Sequence, residues 1–538
     1  MRKFLLLIIG TILFTIIFLN PIIAQTGKIA GRVTDASTGE ALPFVNIVIV
    51  GTSYGAASDI DGYYFLINLP PGIYSVKASA IGYTSIEVQN VEVASGFTSN
   101  QDFNLQSTTL ELGEEIVVIA EKPLIQKDLT ASTSIIGEDV ISQLPVANIN
   151  DILQLQAGIV TSGADFHVRG GRKGQVVYQI DGVAVTDAYD GSTVIDVNSN
   201  AVQELQVISG AFNAEYGQAM SGVINIVTKD GGNDLSGNFQ TYIGDYISSR
   251  NDKFWNIDDF DPVAIRNFEG SLSGPIIPDK LFFFINGRYT YDAGYIFGKR
   301  TFLITDIATE IEGSGGADFN ITKSGDDSFV SMNEREKFYA QGKLTYRLLP
   351  NMKVNFNYAI DKEEYKDFNH DRKLTPDNNL NRFRIGYSNM LSINHAVSNA
   401  SFYTINLSYF FKQYQHYLFE EEELSLPFSF SEGKYVNNYI RQTPPYSFEI
   451  GGTDYSRFKR STGTYEVGFN WTSQINQEIN IQFGGNFKRH QIFYKDVTLE
   501  PISFEGVTYV YVPPIETTQN NQYTHNPLEG AFYVQSKL

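Results

Sequence analysis

The chain has 538 residues, too many for one compact core, and 42% of them are hydrophobic, which excludes wholesale disorder. Forty Lys and Arg against 60 Asp and Glu give a net charge of −20, which removes sequence-independent nucleic-acid binding; the lack of cysteine removes disulfides, thiolate zinc sites and cysteine nucleophiles. Mean hydropathy of −0.16 excludes a polytopic helical membrane protein but not a membrane β-barrel, which 13% aromatics, nearly all Tyr and Phe, would suit.

At the front, Arg2 and Lys3 precede an apolar run over 4–18, followed by Pro21 and Ala24-Gln25. This order predicts a secretory signal peptide over 1–24, cut after Ala24. A permanent anchor is the other reading, since 4–23 could span a bilayer, and Pro21 favours cleavage.

Residues 26–107 hold β runs at 29–33, 45–50, 63–67 and 74–80, separated by Gly- or Pro-bearing turns at 35–39, 51–55, 59–62 and 70–72. Turn signals at this spacing predict a small Ig-like β-sandwich. Asp59-x-Asp61-Gly62 lacks the distal ligands of a calcium loop and reads as a hairpin turn. Gly31-Arg32-Val33, Thr38-Gly39-Glu40-Ala41-Leu42-Pro43, Asp61-Gly62, Pro71-Gly72-Ile73-Tyr74 and Ile81-Gly82-Tyr83 resemble the carboxypeptidase-regulatory-like domain, a resemblance that implies a non-catalytic accessory module.

Residues 108–124 form a linker that contains Glu115-Ile116-Val117-Val118-Ile119-Ala120. A β-branched run in a charged tether suits recognition by strand addition, where main-chain groups bind and alternate side chains set register. By itself it reads equally as a last strand of the sandwich.

Over 125–232, Asn150 is placed to cap a helix at 151–156 closed by Gly158. Arg169-Gly170-Gly171-Arg172 follows, then Asp181-Gly182 between two β runs, a strong hairpin signal. The segment ends in Ser221-Gly222-Val223-Ile224-Asn225-Ile226-Val227. This ordered set resembles the plug domain of TonB-dependent outer-membrane transporters, of an Oar-like or SusC-like subgroup. The resemblance implies that residues 115–120 are the TonB box, and that the partners are the periplasmic C-terminal domain of TonB with its inner-membrane energising complex. Arg169 and Arg172 are then candidate ion-pair partners for carboxylates on the inner wall.

Residues 233–538 alternate. Phe338, Ala340, Gly342, Leu344, Tyr346 and Leu348 share one face, and Lys337, Tyr339, Gln341, Lys343, Thr345 and Arg347 the other; the pattern repeats after Pro350-Asn351. Candidate strands lie near 236–247, 266–275, 280–291, 336–348, 352–363, 381–394, 399–413, 463–475, 478–493 and from 530. Their connections alternate long and short, as in an outer-membrane barrel. The fold class is therefore mainly β: an Ig-like sandwich, an α+β plug, and about ten strands of a transmembrane antiparallel barrel. The family closes with about 22. The reading takes the chain to stop within the barrel, as an N-terminal fragment or interrupted frame.

The six histidines (167, 370, 395, 416, 490 and 525) show no metal or triad spacing, so no catalytic residue, metal or cofactor is assigned. Glu420 to Glu423 and Asp258-Asp259-Phe260-Asp261 read as solvated loops. Phe254, Trp255, Tyr414 and Tyr417 belong to an interfacial girdle or to a ligand-facing loop. The resemblance implies TonB-dependent uptake of a scarce solute, glycan or peptide across the outer membrane, with a surface lipoprotein as a further candidate partner. Adhesion or scaffolding at the surface, without transport, is the alternative.

Overall fold

The computed structural model describes residues 26–537 apart from 53, 108–114, 120–131, 145–148, 163–164, 173, 211, 307, 313–318, 350, 399, 421–439, 442–447, 476–478, 505–506 and 516. The signal-peptide region, Ala120 and Glu421 to Glu423 lie outside the described residues.

The sandwich pairs two sheets. One joins β1 (Gly27–Asp35) to β4 (Tyr63–Leu69) antiparallel and to β7 (Thr98–Asn100) and β8 (Phe103–Leu105) in parallel. The other runs β3 (Gly55–Ala57), β2 (Asn46–Ile49), β5 (Gly72–Ser79), β6 (Ser85–Val93) and β9 (Glu115–Ile119). Alternate residues of both sheets meet in a dry core around Ile29, Ile47, Tyr64, Leu69 and Phe103. The turn at 59–62 is an Asx turn: Asp59 Oδ1 accepts from the amides of Asp61 and Tyr63, both at 2.9 Å.

The run at 115–119, which read equally as part of a tether or as a last strand of the sandwich, is the latter. β9 lies parallel to β6, with Val118 opposite Val88. Among the described residues it is the terminal strand of its sheet, with one edge that no described strand pairs.

The plug has a five-stranded sheet in the order β10 (Ser132–Gly137), β15 (Val202–Ser209), β16 (Gly222–Thr228), β13 (Val176–Ile180) and β14 (Val183–Ala184). A small hairpin joins β11 (Ile159–Ser162) and β12 (Asp165–Val168). Helix α1 (Glu138–Gln143) has no clear signal in the sequence. Helix α2 (Ile149–Gln154) begins one residue before Asn150, which is therefore inside the helix and not its cap. Gly158 takes the positive φ (+84°) expected of a closing glycine.

The wall is one antiparallel sheet of long strands: β17 (Ser236–Gly244), β18 (Ile265–Ile277), β19 (Leu281–Asp292), then, past the loop strands β20 (Phe297–Lys299), β21 (Ala308–Glu310), β22 (Phe319–Ile321) and β23 (Phe329–Ser331), β24 (Arg335–Leu349) and β25 (Met352–Tyr365). It continues with β26 (Asn381–Ser398), β27 (Ser401–Tyr417), the loop strands β28 (Ile440–Arg441) and β29 (Glu449–Ile450), then β30 (Ser456–Gln474) and β31 (Asn480–Thr498). After the loop hairpin β32 (Glu500–Phe504) and β33 (Val507–Tyr511), β34 (Asn520–His525) and β35 (Leu528–Lys537) both pair with β31, end to end. Pro527, which has no N–H to donate, splits this tenth rank in two.

The wall is inside out by the standard of a soluble protein. Phe338 and Leu348 are 45% and 48% exposed, while Gln341, Lys343 and Asn357 on the other face are 5% or less. An apolar outer face over a polar inner one is the arrangement of a sheet that faces hydrocarbon.

Candidate functional site

The polar inner face of the wall holds the plug, and the hairpin β13–β14 makes the central contact. Asp181 (φ +49°) and Gly182 (φ +79°) form the two-residue turn that the sequence signals, with Ile180 opposite Val183. The turn leaves the Asp181 carboxylate facing the next strand. It accepts from the Thr228 amide (2.8 Å) and hydroxyl (2.7 Å), and from Lys343 Nζ and Asn357 Nδ2 on the wall, each at 3.2 Å. Lys343 also meets Asp230 at 2.9 Å, and Lys353 reaches Asp230 from β25.

A second group of contacts lies at the plug apex, residues 187–198. Asp196 binds Lys337 (2.8 Å) and Arg384 (2.6 Å). Asp190 binds Arg460 at 2.5 Å, and Lys412 sits 3.7 Å from both Asp187 and Asp190. Burial alone would raise these plug carboxyls, but the facing cations outweigh it. Lys337 and Arg384 hold Asp196 below the usual carboxylate range; Lys412, with Ser192 and Arg460, does so for Asp190, and Lys343 with Lys353 for Asp230. Behind the apex, the Val194 carbonyl lies 2.2 Å from where a Cβ on Gly386 of β26 would stand, so the plug seats only because that wall residue has no side chain.

The polarity is the reverse of that inferred from sequence. The plug supplies carboxylates and the wall supplies cations. Arg169 and Arg172 make no ion pair with the wall among the described residues. The Arg169-Gly170-Gly171 segment is instead a tight turn: Arg169 and Gly170 have φ of +49° and +78°, and a Cβ on Gly171 would strike Ser221 at 2.3 Å. The Arg169 amide donates to the Gly158 carbonyl at 2.7 Å and the Arg172 amide to Gln175 Oε1 at 2.8 Å, so this motif shapes the plug itself. The acidic apex has no motif-like spacing; the only signal was a clustering of Asp187, Asp190 and Asp196 between turn residues.

Between the apex and the wall lies a cavity of about 750 Å³, on the side of the long loops and within the range of small-molecule sites. Tyr178, Arg266, Tyr291, Arg384 and Tyr414 are among its lining residues. Arg266 stacks over Tyr291 at 4.3 Å, and its buried Nε has no hydrogen-bond partner among the described residues. Tyr414 therefore faces this cavity, whereas Trp255 lies under Lys373 in a loop, 3.5 Å from its ammonium, and Tyr417 stacks on Phe383 at 4.8 Å. Asp258, Asp259 and Asp261 are exposed, as expected of a solvated loop.

A wall with an apolar outer face and a separate domain pinned to its polar inner face is the arrangement of a plugged β-barrel, of which this sheet, unpaired between β17 and β34 among the described residues, forms an arc. Residues 29–118 match the CarboxypepD_reg-like domain and residues 125–223 match the TonB-dependent receptor plug domain, so the chain carries these two domains in that order. It is 23% identical over 379 residues to the TonB-dependent transporter Oar of Myxococcus xanthus, covering 63% of this chain and 33% of that protein. It is 29% identical over 299 residues to the TonB-dependent receptor SusC of Bacteroides thetaiotaomicron, covering 52% of this chain and 28% of that one. The chain thus spans a third or less of the length of these relatives. Among solved structures, the outer membrane transporter YddB from Escherichia coli shares the fold over 76% of this chain and 58% of its own, with a TM-score of 0.50 and 11% identity.

Proposed function

We propose that this chain serves TonB-dependent uptake of a scarce solute across the outer membrane. The long loops then face outward and the short turns face the periplasm. The observation that carries the reading is how the plug is held: polar and ionic contacts to a largely hydrophilic wall join a smaller apolar contact made by Phe284, Tyr339, Ala359, Met390 and Phe410 of the wall. The more accessible of these pairs, Asp196 with Lys337 and Arg384, can trade for water as the plug shifts, while the buried Lys343 pairs hold it until then.

In this reading the cavity beneath the loops receives the solute, and β9 supplies the strand to which TonB adds. The open edge of β9 supports that role, because augmentation needs unpaired main-chain groups. Work done at the inner membrane then shifts the plug. The relatives named above are a transporter and a receptor, in keeping with transport rather than catalysis.

Because the chain has no cysteine, single thiols placed at 116 to 119 are free of background. Each should form a disulfide with a thiol in the TonB C-terminal domain in a pattern that alternates along the strand. Val118→Pro, which removes a main-chain donor, should abolish it. Uniform, position-independent cross-linking would count against augmentation at β9.

A further inference from the structure

The sandwich does not hang free beneath the plug. Lys28 Nζ donates to Gln474 Oε1 at 3.0 Å, at the short-turn end of β30. Gln206 of plug strand β15 donates to the Ser95 carbonyl at 2.9 Å, and β4 approaches wall strand β26. Tyr54 and Tyr74 lie within electrostatic range of Arg347, at the short-turn end of β24, and of Asp230. Contacts with the plug and with the ends of separate wall strands place one domain across one mouth.

The plug sheet points the same way. Its face opposite the apolar core carries Glu204, Gln206 and Asn225, which are 5%, 2% and 1% exposed. The plug's own cover on that face, Phe212, Tyr216 and Ala219, packs on Val177, Ile208 and Val223. A polar row needs partners when it is taken out of water, and at Gln206 the sandwich provides one.

We infer that the sandwich is a second stopper: it covers the plug from the short-turn side, and the β15 face of the plug opens to the periplasm only when the sandwich leaves. The naming of that side as periplasmic rests on the uptake reading. The docking contacts identified among the described residues are largely polar, and such contacts trade for water at little net cost. The domain's own core is dry and extensive, so it would leave as a rigid body. Because β9 is paired with β6, a pull on β9 acts on the stopper as well as on the plug.

Two measurements on isolated outer-membrane fragments, open on both faces, test this. Lys28→Cys with Gln474→Cys is treated with a flexible, reducible bis-thiol reagent, since side chains of this length hold their backbones too far apart for a direct bond. The link should form as fully as one between Asn46→Cys and Ser79→Cys, which are opposite each other in β2 and β5. A yield no higher than for Lys28→Cys with Arg300→Cys, in the long loops, overturns the docking. In the second, Gln206→Cys should react slowly with fluorescein maleimide, and Ser95→Trp, wedged into the contact, should speed labelling at least about tenfold. Should that wedge unfold the sandwich, labelling still rises, because an unfolded domain cannot cover β15. Equal rates overturn the proposal. Neither measurement involves TonB or a solute, so failure of the uptake reading leaves both results standing.

Discussion

The sandwich core and the plug–wall seam are both buried, yet the first is almost wholly apolar while the second adds a network of ion pairs to a few apolar contacts. In the sandwich, Tyr64 and Phe103 are each 1% exposed, with ring centres 5.9 Å apart, amid aliphatic neighbours. At the seam, Asp181, Asp196 and Asp230 meet Lys337, Lys343 and Arg384. Apolar burial is non-directional and returns nothing until the whole domain opens. Ion pairs can be exchanged for water one at a time. The first region is made to survive handling and the second to come apart in steps.

The largest effect expected from this contrast is in the sandwich. Phe103→Ala should cost about 4 kcal/mol, read as a drop in the thermal or urea midpoint of that domain, while hydrogen exchange in the plug strands stays unchanged. At the seam, Lys343→Ala should cost about 3 kcal/mol of plug protection, because it strips a buried partner from both Asp181 and Asp230. A loss as small as that of an exposed pair would break the comparison.

Asp196→Asn should cost less, about 1.5 kcal/mol, since Arg384 keeps Glu363 at 3.0 Å and Lys337 keeps Asp361 at 3.7 Å. Lys353→Ala should cost about 1 kcal/mol or less, because Lys353 is more accessible than Lys343 and Asp230 keeps the latter. Hydrogen exchange of the β15 and β16 amides measures all three.

Acid sharpens the contrast from the other side. Asp190, Asp196 and Asp230 lie below the ordinary carboxylate range in the seated plug and return to it on release, so the seated form binds fewer protons. The stabilisation they give is fully present above about pH 4 and is lost as pH falls further through their depressed values. Plug protection, corrected for intrinsic exchange, should be level between about pH 8 and 5 and fall below about pH 4. A fall between about pH 7 and 5 would show that other groups hold the plug.

Much of this was legible in the sequence. Period-two alternation marked β24 and β25, because a sheet with one face in hydrocarbon cannot slip register without exposing its whole polar set, and the alternation of long and short connections supported the ten candidate ranks. Asp181-Gly182 announced its turn through backbone preference alone. The tenth rank was placed from 530, and the break at Pro527 hid its first half, 520–525. The seam was less legible. Ion pairs join residues more than a hundred positions apart, such as Asp181 and Lys343, and one sequence carries no sign of which charges meet. Arg169 and Arg172 drew notice as charges when their segment is a turn. That β9 could close the sandwich was one of two readings, but its partner β6 was hidden, since a β-branched run does not say which edge it joins.

Gly386 has a consequence for how the plug fits. The slot it leaves for the Val194 carbonyl works as a keyway: a plug threaded one residue out of step would present a side chain, or nothing, to that notch and fail to seat. A single methyl group, added as Gly386→Ala, should therefore be enough to unseat the plug, read as faster hydrogen exchange of the β15 and β16 amides.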